Sequence, residues 1–277
     1  GEDEVSRIGL AISSDGLHIE ERLESPVFEP EEEWEAKGCE DPRLILIGER
    51  IYMFYTAYSS VAAQIALASI GLEDFLNRCW NKWRKHGLAF PDFDDKDATL
   101  FPQAFNGRYV MYHRIEPSIW ISYSERLDCP WPREDHRILV GPGAGMAWDG
   151  FKIGGGSQPI RTKYGWLLIY HGVDYSWIYR LGVLLVALDD PGQLLYRSPN
   201  PVLEPEESYE LGDEGCYVPN VVFSCGAVPQ VDKEVLDDDD EVLVYYGAAD
   251  TVACVAIAKV SDLVPEEIRQ GKNQGAI

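Results

Sequence analysis

The pattern of apolar and polar residues repeats four times along the chain. Each repeat opens with a turn signal and a β-rich run that ends in a polar or aromatic cluster, and a second apolar strand follows. The copies start at residues 43, 106, 164 and 241, and residues 6–22 look like the last two strands of another copy. Hairpins that recur at long intervals are typical of propeller blades. The pattern predicts an all-β, five-bladed β-propeller whose first blade is incomplete at the N-terminus.

Helical periodicity is almost absent. Residues 69–76 and 260–269 are the two predicted short helices, and the acidic run 237–240 is interpreted as a solvated hairpin tip. No linker interrupts the repeats, so we expect residues 1–277 to form a single domain.

The charge balance narrows the classes of partner. The 277 residues include 24 Lys and Arg against 47 Asp and Glu, a formal net charge of −23. Because this charge repels a phosphate backbone, no nucleic-acid partner is expected. No apolar run approaches about 18 residues, so no membrane span is expected either.

Six cysteines are scattered along the chain without metal or redox spacing, and no apolar leader follows the acidic first residues. These features favour reduced thiols, the absence of a secretory signal and a cytoplasmic location. The carboxylates lack calcium-loop spacing, so no metal site is expected.

Propeller geometry decides which residues can share a site. Blades surround a central channel, so strand ends that are far apart in sequence meet there. The clusters expected to converge are residues 55–58, 113–114, 171–172 and 249–250.

Asp41 is the candidate acid of this channel. It stands between Glu40 and Pro42, with Arg43 two residues on. A structural ion pair is one interpretation. The other is a general acid or base held in the channel, with Glu40 and Arg43 orienting it.

Three basic or imidazole side chains are predicted to face Asp41. Lys96, Arg114 and His171 occur at equivalent blade positions in a strongly acidic protein, which favours an anion site such as one for phosphate. The glycine-rich segment 152–156 is not followed by a helix or a GK[ST] motif, so it indicates close backbone packing instead of a nucleotide loop.

Several motifs together resemble glycoside hydrolase family 130, the β-mannoside phosphorylases and related β-mannosidases. The likeness runs from about residue 6 to 260. It is carried by residues 38–43, 96–102, 112–114, 152–160, 165–173, 188–191 and 245–250.

The resemblance implies a five-bladed propeller in which Asp41 is the general acid, acting through the 3-hydroxyl of the mannose that is cleaved. Inorganic phosphate, the co-substrate, attacks C1 from the opposite face and gives α-mannose 1-phosphate, with no further cofactor. The implied phosphate-binding residues are Lys96, Arg114, His171 and Tyr179, and the candidate substrate-binding residues are Glu40, Arg43, Tyr58, Asp97 and Asp250.

Three functions are weighed. The first is an inverting phosphorylase of β-linked mannosides, of the mannooligosaccharide or mannosyl-glucose type. The second is an inverting β-mannosidase that needs a second acid, for which Glu206, Glu210 and Asp213 are candidates. The third is a sugar-binding propeller without strong catalysis. Retention of Lys96, Arg114 and His171 favours the phosphorylase. The linkage, the aglycone and a homo-oligomeric state are left open.

Overall fold

A computed structural model describes residues 3–212 and 216–271. Nearly all regular structure in these residues is antiparallel β-sheet: four sheets of three to five strands and one two-stranded sheet. The residues group into two compact units, 3–115 with 122–136 and 116–121 with 137–271.

The first unit opens with the two-stranded sheet of β1 (Ala11–Ile12) and β2 (Glu21–Arg22). A 3-10 turn (Glu33–Glu35) then leads into a four-stranded meander. Its strands are β3 (Gly38–Ile47), β4 (Arg50–Tyr58), β5 (Ala63–Gly71) and β6 (Arg84–Leu88), with helix α1 (Leu72–Leu76) and a 3-10 turn (Trp80–Lys82) between β5 and β6.

The next sheet has the order β10-β9-β8-β7. Its strands are β7 (Lys96–Leu100), β8 (Tyr109–Ile115), β9 (Ser118–Ser124) and β10 (Arg137–Val140). Apolar side chains of β4, β5, β7 and β8 form a shared core in the first unit, centred on Phe54, Leu67 and Met111.

The second unit contains two further sheets. The first has the order β11-β13-β14-β15, with β12 also paired to β13. Its strands are β11 (Lys152–Gly155), β12 (Ile160–Thr162), β13 (Gly165–Val173), β14 (Tyr179–Val186) and β15 (Leu194–Arg197). Helix α2 (Ser208–Leu211) precedes the last sheet, β16 (Val222–Pro229), β17 (Glu241–Ala248) and β18 (Val252–Lys259), and helices α3 (Val260–Leu263) and α4 (Glu266–Arg269) follow it.

Each of the four larger sheets is braced by a buried carboxylate. A ring side chain on the second strand of the sheet hydrogen-bonds to an acid from the loop or turn before the sheet's first strand, and both partners are buried. The pairs are Tyr55 with Glu35 (2.5 Å), His113 with Asp95 (3.0 Å), Tyr170 with Asp149 (2.7 Å) and Tyr246 with Glu210 (2.7 Å). The repeated brace shows that the four sheets are versions of one unit, as the sequence repeats predicted.

The residues after the braced rings occupy equivalent places. They are Thr56, Arg114, His171 and Gly247. The predicted equivalence is therefore present for Arg114 and His171, one in each compact unit, but wrong for Lys96, which begins β7 instead of following a braced ring.

The predicted all-β, blade-like architecture is confirmed. Four sheets have the size of a blade, whereas the expected fifth is represented by the two short strands β1 and β2. The five-bladed ring and the single domain stay predictions.

The helix predictions are partly wrong. Residues 69–71 complete β5, because their backbone pairs with β4, so that only Leu72–Leu76 is helical. The segment 260–269 forms two short helices instead of one, and α2 was not predicted.

The acidic run 237–240 is more than a solvated tip, since Asp240 is 8% exposed and binds Lys233 at 2.6 Å.

The six cysteines lie outside disulfides in the structure. Among the described residues, no helix has the length and apolar character needed to cross a membrane.

Candidate active site

Asp41 is presented by a bulge in β3. Glu40 pairs with Thr56 and Arg43 with Phe54, so two residues, Asp41 and Pro42, lie opposite one. Asp41 has a φ of 50°, in the left-handed region that aspartate tolerates better than most residues. The bulge turns the Asp41 side chain out of the regular alternation, and a quarter of its surface remains exposed.

A cluster of cations and carboxylates surrounds Asp41 in the first unit. Lys96 Nζ lies 3.9 Å from Asp41 Oδ2. Arg43 donates from Nη1 to the Asp41 carbonyl at 3.1 Å, and its Nη2 lies 3.5 Å from Asp97 Oδ1. Arg114 Nη1 lies 3.1 Å from Asp97 Oδ2. We call these five residues the Asp41 cluster.

The surroundings of Asp41 favour its protonated form. Burial raises the pKa of the Asp41 carboxyl, and the negative charges of Asp97 and Glu40 act in the same direction. Lys96 and Arg43 oppose the shift without cancelling it. A carboxyl group with a raised pKa holds its proton to a higher pH than an ordinary aspartate, which suits a general acid.

Glu40 and Tyr58 lie on β3 and β4, the strand pair that carries Asp41. Glu40 Oε1 accepts a hydrogen bond from Ser6 Oγ at 2.8 Å. Tyr58 ends β4 with 43% of its surface exposed, so its ring is available to a ligand.

His113 precedes Arg114 on β8 and belongs to a buried hydrogen-bond network. Its Nδ1 bonds to Asp95 at 3.0 Å, and its Nε2 lies 2.9 Å from Ser122 Oγ and 3.0 Å from His136 Nε2. His113 has no exposed surface, so it supports the fold of this sheet instead of contacting a ligand.

The second unit places His171 and Tyr179 together. Their rings are 6.0 Å apart and stacked at 29°, and Phe223 lies 4.6 Å from His171. His171 is fully buried, whereas Tyr179 is partly exposed. The predicted contacts of both residues with phosphate stay predictions.

Lys152 is a cation near this pair that the sequence analysis did not single out. Its Nζ pairs with Glu116 at 2.9 Å and lies 5.3 Å from the ring of Trp177 and 6.0 Å from that of Tyr179. The signal that could have found Lys152 is its place at the start of β11, the strand that pairs with the His171 strand.

The glycines that follow Lys152 pack as predicted. A Cβ at Gly156 would lie 2.6 Å from the Ile169 carbonyl oxygen, so only glycine fits this approach between backbones.

Asp250 lies in an exposed turn after β17. Ala249 and Asp250 have consecutive φ angles of 45° and 53°. The Ala249 N–H donates to the Val221 carbonyl at 3.0 Å, and Val221 bridges to Tyr179. Within the second unit, Asp250 therefore projects near the strand start that carries Tyr179, and its predicted contact with sugar stays a prediction.

The candidate bases for a hydrolase that the structure describes differ in burial and in hydrogen bonding. Glu210 is 3% exposed and accepts hydrogen bonds from the N–H groups of Glu206 and Glu207 and from Tyr246. Burial acts to raise the pKa of Glu210, but these hydrogen bonds outweigh it and lower the pKa. Glu210 is thus a structural cap. Glu206 is exposed, and Asp213 lies outside the described residues.

No group of three or more potential metal ligands occurs among residues 3–212 and 216–271.

Comparison with known proteins decides the family. A model of glycoside hydrolase family 130, described as β-1,4-mannooligosaccharide phosphorylase, matches residues 1–266. The chain belongs to glycoside hydrolase family 130. The resemblance found in the sequence motifs is confirmed over almost the whole chain.

Curated relatives in family 130 include enzymes for two linkages. A 1,2-β-oligomannan phosphorylase of Thermoanaerobacter sp. (strain X514) is 42% identical over 94% of this chain and 80% of the relative. A β-1,4-mannooligosaccharide phosphorylase of Ruminococcus albus is 30% identical over 91% of this chain and 73% of the relative.

Solved family 130 structures share the fold. The β-1,2-mannobiose phosphorylase of Listeria innocua, in complex with β-1,2-mannobiose, matches with a TM-score of 0.80 and 33% identity over 94% of this chain and 68% of that one. A second structure has a TM-score of 0.75 and 28% identity over 92% and 75% of the two chains. That structure is described as showing that family 130 contains glycoside hydrolases that target β-1,2-mannosidic linkages in Candida mannan.

Proposed function

We propose that the protein is an inverting β-mannoside phosphorylase that cleaves β-linked mannosides with inorganic phosphate. The observation that carries the proposal is the Asp41 cluster, in which a carboxyl group with a raised pKa lies within 3.9 Å of a lysine and shares its surroundings with two arginines. Membership of family 130 supports the same reaction.

In the proposed reaction, one bond breaks as another forms. A phosphate oxygen attacks C1 of the mannosyl unit, and the bond from C1 to the glycosidic oxygen breaks. The Asp41 proton passes to the departing oxygen through the 3-hydroxyl of the mannose, the route that the family resemblance implies. Attack from the face opposite the leaving group inverts C1 and gives α-mannose 1-phosphate. The protein supplies the acid, and phosphate replaces a protein nucleophile.

The charge of the Asp41 cluster suits an anionic reactant. When Asp41 is protonated, the three cations Arg43, Lys96 and Arg114 outnumber the two nearby carboxylates, Asp97 and Glu40. The excess of positive charge favours a phosphate dianion, because arginine binds phosphate with two parallel hydrogen bonds and lysine acts as a point charge. We assign Lys96 and Arg114 to phosphate binding.

The substrate class is proposed from the relatives. Those that are 42%, 41% and 34% identical are named for β-1,2-linked mannans or mannobiose, whereas those at 30% and 26% are named for β-1,4-linked substrates. We therefore propose β-1,2-linked mannooligosaccharides as the first substrate to test. Tyr58, which is exposed at the end of β4, is assigned to sugar binding.

His171, Tyr179 and Asp250 keep the roles that the family resemblance implies, as phosphate and sugar ligands. Tyr179 and Asp250 have exposed surface in the structure. Because His171 is buried against Tyr179, its contribution is proposed to include holding the Tyr179 ring.

A cytoplasmic location is proposed on two grounds: cysteines that lie outside disulfides, and a charged product that a cell retains.

The test is product analysis with and without phosphate. The protein is incubated with β-1,2-mannobiose and, separately, β-1,4-mannobiose, and the products are separated by anion-exchange chromatography. We expect α-mannose 1-phosphate that depends on added phosphate, formed faster from the β-1,2-linked substrate. Free mannose released at one rate with or without phosphate would show a hydrolase. Binding of mannobiose without turnover would show a sugar-binding protein.

A further inference from the structure

Asp97 occupies the same local structure as Asp41 but is closed to ligands. Lys96 pairs with Arg114 and Thr99 with Tyr112, so Asp97 and Ala98 lie opposite one residue of β8. Asp97 has a φ of 59° and is 1% exposed. Direct contact with a sugar, predicted from the sequence, is therefore replaced by contact with arginines.

The carboxylate of Asp97 joins two arginines that have different predicted tasks. One oxygen faces Arg43 at 3.5 Å and the other faces Arg114 at 3.1 Å. Both guanidinium groups are themselves buried, so water screens these interactions little. Asp97 is thus a buried contact that the two arginines share.

The other end of Arg43 reaches the acid. Its Nη1 donates to the carbonyl oxygen of Asp41, while Lys96, the residue before Asp97, approaches the Asp41 carboxylate. A continuous set of contacts therefore runs from Asp41 through Arg43 and Asp97 to Arg114.

We propose that Asp97 is a positioning residue that couples the general acid to the phosphate-binding arginine. This inference rests on the proposed phosphorylase function. Through Arg43, Asp97 holds the backbone of Asp41, and through its second oxygen it holds Arg114 at the anion site. Loss of the carboxylate would release both groups at once, although Asp97 touches neither reactant.

The coupling has an electrostatic signature. The charged groups that act on Asp41 are Lys96, Arg43, Asp97 and Glu40, and the last two raise the pKa of Asp41. A general acid loses activity as pH rises through its pKa. Removal of the Asp97 charge lowers that pKa, so the alkaline limb of the pH profile is expected to move to lower pH.

The experiment compares Asp97→Asn with Glu40→Gln. For Asp97→Asn we expect the phosphate KM to rise by at least about tenfold, kcat to fall, and the alkaline limb of kcat/KM to move to lower pH. Glu40→Gln removes a second like charge near Asp41, but Glu40 bonds to Ser6 and not to the arginine pair. This control should move the limb in the same direction and leave the phosphate KM within about twofold.

A double-mutant cycle with Arg114→Ala tests the coupling itself. If Asp97 acts on phosphate through Arg114, the fold-increase in phosphate KM of the double variant should be well below the product of the fold-increases of the two single variants. Independent, multiplicative effects would overturn the proposal, as would an Asp97→Asn protein with an unchanged phosphate KM.

Arg43→Lys provides a second test of the positioning role if Asp97→Asn does not fold. Lysine keeps the charge but loses the fork that spans Asp41 and Asp97, so kcat should fall while the phosphate KM stays within about twofold. An unchanged kcat would overturn the proposal. If the wild-type protein forms mannose 1-phosphate but one of these contrary results is obtained, only the proposed role of Asp97 is rejected. A wild-type protein that needs no phosphate removes the proposed function and this inference with it.

Discussion

The bulge of β3 and the bulge of β7 share one backbone geometry but give their aspartates opposite surroundings. In each, two residues lie opposite one, and the aspartate has a φ between 50° and 59°. Asp41 keeps a quarter of its side-chain surface exposed, beside a single lysine at 3.9 Å. Asp97 is buried between two arginines. The same local structure therefore holds the proposed proton donor at one position and a carboxylate paired with two arginines at the other.

The residues opposite the two bulges also differ, in their hydrogen-bond partners. Tyr55, opposite Asp41, donates to Glu35, whereas His113, opposite Asp97, is linked to Asp95, Ser122 and His136. The comparison teaches that the surroundings of an aspartate in this fold depend on which cations other strands bring to it, since the bulge itself is common to both.

The largest effect is expected for Asp41→Asn. Removing the acid should lower kcat by about 10²–10⁴-fold, because the amide cannot protonate the leaving oxygen. Mannoside and phosphate binding, measured by calorimetry, should be retained. A variant with more than a tenth of the wild-type turnover would show that Asp41 is not the acid.

The same variant has a stability signature with a defined sign. The pKa of Asp41 is raised in the folded protein, so ionisation is disfavoured there. As pH rises above the ordinary aspartate pKa of about 3.9, the wild-type protein should lose stability relative to Asp41→Asn. Urea unfolding of both proteins at several pH values measures the difference, and a constant difference would contradict the raised pKa.

Loss of the brace beneath the Asp41 bulge should affect folding more than catalysis. Glu35 is fully buried and binds Lys85 at 2.6 Å and Tyr55 at 2.5 Å. Glu35→Ala leaves Lys85 without this partner and should lower the free energy of unfolding by about 3–5 kcal/mol. Glu33→Ala, an exposed change in the same 3-10 turn, is the control and should cost less than about 0.5 kcal/mol.

Arg114→Ala should separate phosphate binding from proton donation. The phosphate KM should rise by about 10- to 100-fold, because charge-assisted hydrogen bonds contribute about 1.5–3 kcal/mol. The saturating rate should change much less. Arg108→Ala is the matched control, since Arg108 pairs with Asp135 at 2.7 Å just before the same strand. Equal effects of the two variants would exclude a phosphate role for Arg114.

The smallest effect is expected at the exposed edge of the Asp41 side. Tyr58→Ala should raise the mannoside KM by about 2- to 10-fold and leave the phosphate KM unchanged, because an aromatic contact is worth about 0.5–1.5 kcal/mol. Val61→Ala, in the same hairpin and 90% exposed, is the control. No change in the mannoside KM of Tyr58→Ala would remove Tyr58 from the sugar site.

The sequence predicted the parts of the fold that depend on local pattern. The paired strands β4–β5, β8–β9, β13–β14 and β17–β18 follow from apolar runs separated by turn signals. The sequence also predicts that Asp41, Lys96 and Arg114 share a site, and the structure joins them through Arg43 and Asp97, while their catalytic and phosphate-binding roles stay predictions.

What the sequence could not predict depends on long-range packing. Nothing local distinguishes Asp97 from Asp41, since the difference lies in Arg43 and Arg114, which are 54 and 17 positions away. The bracing acids are similarly remote, with Glu210 36 positions from Tyr246. The exposed-tip interpretation of the acidic run was wrong at Asp240 because Lys233 folds back onto it.

Direct titration of the Asp41 carboxyl tests the proposed acid most directly. Carbon-13 NMR of protein labelled at aspartate side chains, with Asp41→Asn to assign the signal, follows its protonation in the folded protein. We predict that Asp41 titrates above the ordinary aspartate value of about 3.9, and that it shifts downward in Asp97→Asn. A signal that titrates at or below that value would contradict a proton-donating Asp41.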